Sequence, residues 1–391
     1  MSHMGYLTRI FERREVKLSN RLEHHLVALQ TTSGVAVTPE RSMQLAAVYA
    51  CVRVLAESVA QLPLMLFQRM SDDGKAPAIN HPLYPLLHSL PNPELTSFEL
   101  RELLMVHLCL RGNAFCEIVW GNDGHVQSLW PIHPDRVFVV RGDDNQLYYD
   151  VHVGWSGGYE RRRETVRLQN YQVLHIRGLG TDGVMGLSPI ELHRQGIGLA
   201  MAAEEFGARF FGNDARPGGI LQHPGTLSTE AHGRLRTSWE SRHQGLAKSH
   251  NTAILEEGMT YAQIGVNPDE AQFLETRKFQ VTDIARIFRV PPHMIADLER
   301  ATFTNIEHQS LDFVVHTLGP WLVRFEQAFS RDLLLPSERS AFFADFNVDA
   351  LLRGDITARY GAYSTAIQWG WMSPNDVRRA ENKNPVDGGD G

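Results

Sequence analysis

Asn267-Pro268-Asp269-Glu270 opens, and Ile284-Ala285-Arg286-Ile287-Phe288-Arg289-Val290-Pro291-Pro292 closes, the stretch on which the fold turns. Asn267 suits a helix cap, Pro268 the first turn, and Asp269 and Glu270 the positive end of the helix dipole. Leu274, Val281, Ile284 and Phe288 recur at three- and seven-residue spacings, which predicts a helix with one apolar stripe. Its other side alternates in sign through Glu275, Arg277, Lys278, Asp283, Arg286 and Arg289. Val290-Pro291-Pro292 ends it, because a residue before proline is pushed out of the α region. A polar loop, Asp297 to Thr304, precedes a second helix that Asn305 is placed to cap. Its apolar positions run from Leu311 to Phe329, with Gly319-Pro320 inside the pattern, so a kink is expected near Leu318.

Two helical segments therefore follow a distinct insert. Ser188-Pro189 starts an earlier helix that should run to about Phe211, with a middle of small residues (Gly196, Gly198, Ala200, Ala202, Ala203, Gly207, Ala208) that lets neighbouring helices approach closely. Between the two helices lie a strand at Gly219-Ile220-Leu221, a helix from Ser228 to about His243, and a hairpin-like pair joining Ala253–Leu255 to Tyr261–Ile264.

Upstream, residues up to about 37 carry no clear pattern and read as a mobile arm; Met1-Ser2-His3-Met4 looks like a cloning scar. A helix opens at Thr38-Pro39-Glu40, with Leu45, Val48, Val52, Leu55, Val59 and Leu62 on its buried side. A strand follows from Leu64, a short helix after His81-Pro82, and a longer one capped by Thr96 or Ser97 and stopped at Gly112-Asn113. From Ala114 to Ile176 the period changes to two, with strands at 115–120, 137–140, 147–151 and 173–176. The fold class is thus α+β with an antiparallel sheet. After a strand at 341–346 come two short helices, the second opened by Ser373-Pro374-Asn375-Asp376, and a tail from Asp387 that should be disordered.

Composition narrows the function. The chain has 391 residues, 43% hydrophobic and 21% charged, and no apolar run reaches the ~18–20 residues that span a bilayer. Cys51, Cys109 and Cys116 sit in apolar contexts and read as buried, inert thiols of a reducing compartment. Net charge is −7, which argues against a tight general DNA binder, since phosphate neutralisation drives such binding. An acidic wall suits a surface along which DNA slides. No P-loop, no His-Glu-x-x-His and no zinc-ribbon spacing occurs, so no catalytic residue, metal ligand or cofactor is assigned. Gly186-Leu187-Ser188-Pro189-Ile190 begins like a nucleophile elbow but lacks the second glycine, and capping explains Ser188. Arg161-Arg162-Arg163 is the one dense basic run, and a charged hairpin edge explains it.

The order and spacing of several blocks resemble the portal protein of long-tailed double-stranded-DNA bacteriophages. They are Ala50 to Ala60 with Leu62-Pro63-Leu64, His81-Pro82-Leu83-Tyr84 with Pro91-Asn92-Pro93, and Arg111-Gly112-Asn113-Ala114. Gly186 to Ile190, Phe210-Phe211-Gly212-Asn213, Ile284 to Pro292 and Asn305-Ile306-Glu307 complete the set. The resemblance implies a non-enzymatic homo-oligomeric ring, commonly a dodecamer, at one capsid vertex of the virion, made in the host cytoplasm. Double-stranded DNA would pass through it during packaging and ejection. Partners would be the terminase large subunit, the head–tail adaptor, and the major capsid and scaffolding proteins, with no membrane.

It also implies an organisation: a wing (38–185), stem helices (186–213 and 267–290), a clip (214–266), a tunnel loop (291–304), a kinked helix with a return strand (305–350), and a crown with a flexible tail (351–391). By the same resemblance Leu298, Glu299, Arg300, Thr302 and Phe303 would face DNA. Glu275, Arg277, Lys278, Asp283 and Arg286 would meet neighbouring subunits. Arg234, Arg236, Trp239, Arg242 and Lys248 would contact terminase or adaptor. Twelve chains at −7 each would carry about −84. Another ring-forming head–tail connector is the alternative.

Overall fold

The computed structural model describes residues 31–70, 74–153, 164–212, 219–243, 259–263, 270–298, 309, 311–348, 356–381 and 383–390. Two helices stand where one was expected. In α1 (Pro39–Ser42), the Thr38 hydroxyl accepts the Arg41 N–H at 3.2 Å; the chain then breaks before α2 (Ala46–Ala60). The predicted stripe of α2, Val48, Val52, Leu55 and Val59, is buried as a set. Strands β1 (Leu64–Arg69) and β2 (Lys75–Pro77) follow, then α3 (Leu83–His88). Next comes α4 (Ser97–Arg111), which starts in a capping box: Glu99 N–H donates to the Thr96 hydroxyl, and Thr96 N–H donates to the Glu99 carboxylate. Arg101 of α4 is buried because its guanidinium donates to the carbonyls of Ala60 and Leu87, at 2.7 and 3.1 Å, closing the ends of α2 and α3. Burial pushes its pKa down to about 10.

Six strands follow: β3 (Asn113–Trp120), β4 (Val126–Ile132), β5 (Val137–Arg141), β6 (Leu147–Val153), β7 (Glu164–Gln169) and β8 (Val173–Arg177). They make two antiparallel three-stranded sheets, ordered β4-β3-β8 and β5-β6-β7, in place of the single sheet expected. The period-two signal missed β4, whose Pro131 is tolerated because β4 is an edge strand, and β7, which begins beside the basic run. Phe115 and Tyr149 meet edge to face, with ring centroids 6.0 Å apart, in a small core between the sheets. All three cysteines are buried, and burial raises each thiol, Cys51 to about 12, so they are inert as expected.

Ser188 caps as predicted, but only a four-residue helix, α5 (Pro189–Leu192); the chain bends at His193 before α6 (Arg194–Gly212). Beyond it come β9 (Gly219–Gln222), α7 (Thr229–His243), β10 (Thr260–Gln263) and α8 (Glu270–Phe288). Strand β10 pairs with β9, Tyr261 facing Leu221; its expected partner Ala253–Leu255 lies outside the described residues, as does the expected cap Asn267. The expected disturbance before Pro320 is a π-helical turn, Phe313–Leu318, leading into α9 (Gly319–Asp332). Gly319 N–H reaches back to the Val314 carbonyl, a register that spares the proline ring its usual clash.

Strand β11 (Phe342–Phe346) then pairs with β1, giving the sheet β11-β1-β2. Helices α10 (Ile356–Gln368) and α11 (Pro374–Ala380) end the chain, the second in the predicted capping box of Ser373 and Asp376. Two expectations of mobility are corrected. Residues 386–390 fold back on buried Asn375, whose side chain accepts Val386 N–H at 2.8 Å and donates to the Val386 carbonyl at 3.0 Å; its own N–H donates to the Gly389 carbonyl. At the other end, residues 31–37 lie on the molecule, with Thr32 bonded through its N–H and hydroxyl to the Gln195 side chain and Val37 buried.

One carboxamide joins these layers. Asn113 Oδ1 accepts Gly186 N–H at 2.7 Å and His175 Nε2–H at 3.0 Å, and its Nδ2 donates to the carbonyls of Gly186 and Arg111 at 2.7 and 3.2 Å. Gly112 ends α4 in the left-handed region (φ 73°), and Gly178 N–H donates to its carbonyl. The Ser188 hydroxyl donates to the Leu110 carbonyl at 2.7 Å. The entry to α6 is thereby fixed to the end of α4. His175 is buried and held neutral, its pKa well below the usual value through desolvation and then the charges of Arg177 and Arg331. Arg177 Nε–H donates to Nδ1, so the ring proton sits on Nε2, where Asn113 needs it. Arg331 and Asp332 of α9 bond the backbone of the same His175, and Arg324 donates to the carbonyls of Arg177 and Gly178.

A side chain at Gly186 would place Cβ 2.0 Å from the Gly112 carbonyl oxygen and 2.7 Å from Gly178 N, both backbone. Gly186→Ala should therefore cost about 3 kcal/mol or more. Gly233→Ala in α7, where Cβ meets nothing within 4 Å, should be neutral or slightly stabilising. Parallel thermal melts check the contrast, and equal melting temperatures would refute the lock.

Candidate functional site

Helices α6 and α8 form a pair that enters the core at one end. Ile197 and Ala200 near the start of α6 are buried, as are Ile284, Ala285 and Phe288 at the end of α8. Leu199 is 54% exposed beside buried Ile197 and Ala200, and away from that end Phe206 is 50% and Phe279 58% exposed, so apolar surface is left outside the chain's own core. One of the small residues of α6, Gly198, serves a neighbour other than a helix. A Cβ on Gly198 would fall 2.6 Å from Thr31 Cγ2, so this glycine makes room for the chain's own residues 31–32.

Three of the five stem residues, Arg277, Asp283 and Arg286, form ion pairs within the chain. Arg277 meets Glu204 of α6 at 3.6 Å, with both side chains about half exposed, an ion pair between the two helices. Arg286 and Asp283 pair one turn apart at 2.5 Å, and the Arg286 guanidinium lies over Phe279, 5.7 Å from the ring centre. Glu275 and Lys278 are exposed on the same helix. Exposed pairs of this kind contribute only ~0.2–1 kcal/mol each, so they orient the helices more than they hold them.

The end of α8 is built as a double turn. Val290 N–H donates to the Ala285 carbonyl at 2.9 Å and Arg289 N–H to the Arg286 carbonyl at 3.1 Å, a Schellman pattern whose left-handed residue is Arg289 (φ 56°) where glycine is usual. The 3₁₀ turn Pro292–Ile295 then closes at Ala296, also left-handed (φ 63°), with Asp297 N–H returning to the Pro292 carbonyl. Two side chains pin this base from the following segment: the Thr317 hydroxyl donates to the Arg289 carbonyl at 2.7 Å, and His293 Nδ1 meets Gln309 Oε1 at 2.8 Å. Leu298 leaves the base 60% exposed. Glu299, Arg300, Thr302 and Phe303 lie outside the described residues.

In the insert, Arg234 is exposed on α7; the side chains of Arg236, Trp239 and Arg242, and all of Lys248, are outside the described residues. The structure thus places the stem charges and the root of the loop on and just after α8, and of the insert residues it describes only the side chain of Arg234. Sequence reasoning missed the two left-handed non-glycine residues, because Arg289 and Ala296 carry no turn signal. It also missed Glu204, which lies 73 positions before Arg277 and which no helical spacing could link to it. Among the described residues no helix is long and apolar enough to cross a membrane.

The sequence model of the family described as "Phage portal protein" matches residues 46–382. The chain is 34% identical over 372 residues to the "Probable portal protein" of Streptomyces phage phiC31, covering 91% of this chain and 78% of that one. It is 32% identical over 361 residues to the "Portal protein" of Enterobacteria phage HK97, covering 91% and 82%. Among solved structures it is similar to a chain from the neck of an empty gene transfer agent particle computed with C6 symmetry. That match has 26% identity and a TM-score of 0.60, over 86% of this chain and 90% of that one. It also shares its fold with an HK97-family phage portal protein from Corynebacterium diphtheriae, at 17% identity and a TM-score of 0.58, over 81% and 96%.

A non-glycine residue in the left-handed region costs roughly 1–2 kcal/mol. Arg289→Gly should therefore stabilise the chain by about 1 kcal/mol, and Arg289→Ala should not. Chemical unfolding of the three proteins checks this. A loss of stability in the glycine variant would mean that the arginine side chain, and not the backbone turn, holds the base.

Proposed function

The chain belongs to the phage portal protein family, and from that premise we propose how its parts work in a closed ring at the capsid vertex. The exposed half of the α6/α8 pair carries the proposal. Phe279 is apolar and more than half exposed there, beside alternating charges, and a second copy of the chain is the surface that would cover it. In this reading Glu275, Arg277, Lys278, Asp283 and Arg286 line the contact between subunits. The pinned base at Arg289–Asp297 points the following loop, with Leu298, Glu299, Arg300, Thr302 and Phe303, into the bore. The insert with β9, α7 and β10 meets the terminase large subunit and later the head–tail adaptor through Arg234, Arg236, Trp239, Arg242 and Lys248. Helices α10 and α11 face the capsid interior, and the major capsid and scaffolding proteins surround the ring.

The chain does mechanical rather than chemical work. A net charge of −7 per subunit gives the bore a wall that does not hold duplex DNA by releasing counterions, so the duplex passes instead of sticking. The motor that drives DNA is then a separate ATPase, and purified chain alone should hydrolyse no nucleotide.

Native mass measurement tests the ring. A single closed assembly is expected, and Phe279→Glu, which puts a charge on the packed face, should shift it to monomers with the same far-UV spectrum. A chain that stays at 44.1 kDa at every concentration would refute the reading. The electrostatic part has its own check. Duplex affinity of the assembled ring should be weak at low salt and should change little with salt; a slope corresponding to several neutralised phosphates would overturn it.

A further inference from the structure

Three titratable side chains outside the helix pair converge on one point. His81 lies just before α3, His125 in the turn between β3 and β4, and Glu338 in the turn between α9 and β11. His81 Nε2 is 3.4 Å from Glu338 Oε1, and His125 Nδ1 is 3.7 Å from the same oxygen. The three ligand atoms all lie within 4.8 Å of one another. We propose that His81, His125 and Glu338 form a binding site for a divalent transition-metal ion of the zinc type, with water as the fourth ligand.

The distances favour coordination over hydrogen bonding. Charge-assisted N–H···O bonds to a carboxylate run at about 2.7–2.9 Å. A gap of 3.4–3.7 Å is long for such a bond, but a tetrahedron built from metal bonds of about 2.0–2.1 Å has edges of about 3.3–3.4 Å. Two imidazoles and one carboxylate suit zinc, cobalt or nickel; magnesium and calcium prefer all-oxygen sites. The side chains are 7%, 27% and 18% exposed, so water reaches the cluster while its walls stay fixed.

The surroundings hold the donors in place. Glu338 Oε2 accepts Leu335 N–H at 3.1 Å, and the Glu338 carbonyl accepts the N–H groups of Ala341 and Phe342, so the carboxylate is oriented from behind. The His81 ring packs on Phe342 at 4.8 Å and edge-on to His125 at 5.6 Å.

Loading has one internal cost. His81 Nδ1 accepts Leu83 N–H at 3.1 Å, which places the ring proton on Nε2. Binding through Nε2 moves that proton to Nδ1, with no net proton released. Leu83 N–H then loses that acceptor, and as the first N–H of α3 it has no partner within the helix. One hydrogen bond is given up for three coordinate bonds. The ion would clamp three segments that no backbone hydrogen bond joins at this point, and His81 belongs to the His-Pro-Leu-Tyr block that stood out in the sequence without a role.

Chelator-stripped full-length chain should be titrated with Co²⁺ alone. One equivalent per chain should give the visible absorption of a four- or five-coordinate ion and raise the melting temperature. His125→Gln and Glu338→Gln should weaken both by about tenfold or more while leaving the far-UV spectrum and assembly unchanged. Anomalous diffraction at the cobalt edge, on the unaltered chain, should place the ion within bonding distance of all three atoms. Absence of saturable binding, equal binding in both variants, an anomalous peak elsewhere, or an equal melting shift with Mg²⁺ would each overturn the site.

Discussion

The end of α4, the start of β3 and the entry to α6 are held together through the side chain of Asn113. A carboxamide offers two acceptor sites and two donors, and here all four are used, on Gly186, His175 and Arg111. The arrangement is unforgiving because both backbones meet at glycine: Gly112 and Gly186 approach so closely that neither tolerates a Cβ. That closeness is what lets the end of α4, the start of β3 and the entry to α6 share one point. A buried amide with any one partner missing would leave a desolvated polar group, so the junction holds as a unit or not at all. His175 completes it only as a neutral ring, and burial with two nearby arginines enforces that state. The same histidine's backbone receives Arg331 and Asp332, so α9 is set by the junction as well.

Much of the local structure was legible because the chain punctuates itself. Thr38, Thr96, Ser188 and Ser373 all cap helices where their side-chain chemistry said they would. The apolar stripes of α2 and α8 are buried at Val48, Val52, Leu55, Val59, Ile284 and Phe288. The proline inside the later helix perturbs it at the expected place, though by widening the helix into a π turn. What failed was continuity. The helices at Pro39 and Pro189 each stop after one turn, because a good cap starts a helix without guaranteeing its length. Tertiary contacts then restart the chain at a new angle.

The long-range readings divide along the same line. Arg111-Gly112-Asn113-Ala114 and Gly186-Leu187-Ser188-Pro189 stood out as separate blocks, and it takes the structure to show that they touch. The tail was read as disordered from its glycines and aspartates, yet Asn375 binds it through three hydrogen bonds. Composition reports how readily a segment can be left unfolded; it does not report that a buried amide elsewhere is waiting for its backbone. Likewise Gly198 looked like a helix–helix contact and is a seat for Thr31, because a missing side chain does not say which neighbour fills the space.

The balance of rigidity along α8 connects the fold to its mechanical task. Its core end is buried, closed by a Schellman turn, and pinned at the Arg289 carbonyl by Thr317. Among the described residues its outer end is exposed, with a half-exposed ion pair to α6. A pair anchored firmly at one end and weakly at the other can adjust its outer half to a neighbour while the root of the loop stays fixed. The left-handed Arg289 and Ala296 fit that division. Strain of this kind persists only where surrounding contacts over-determine the backbone, and here the contacts come from both helices that flank the loop. The root of the loop is therefore set by the core of its own subunit, while the exposed helix faces answer to whatever stands beside them.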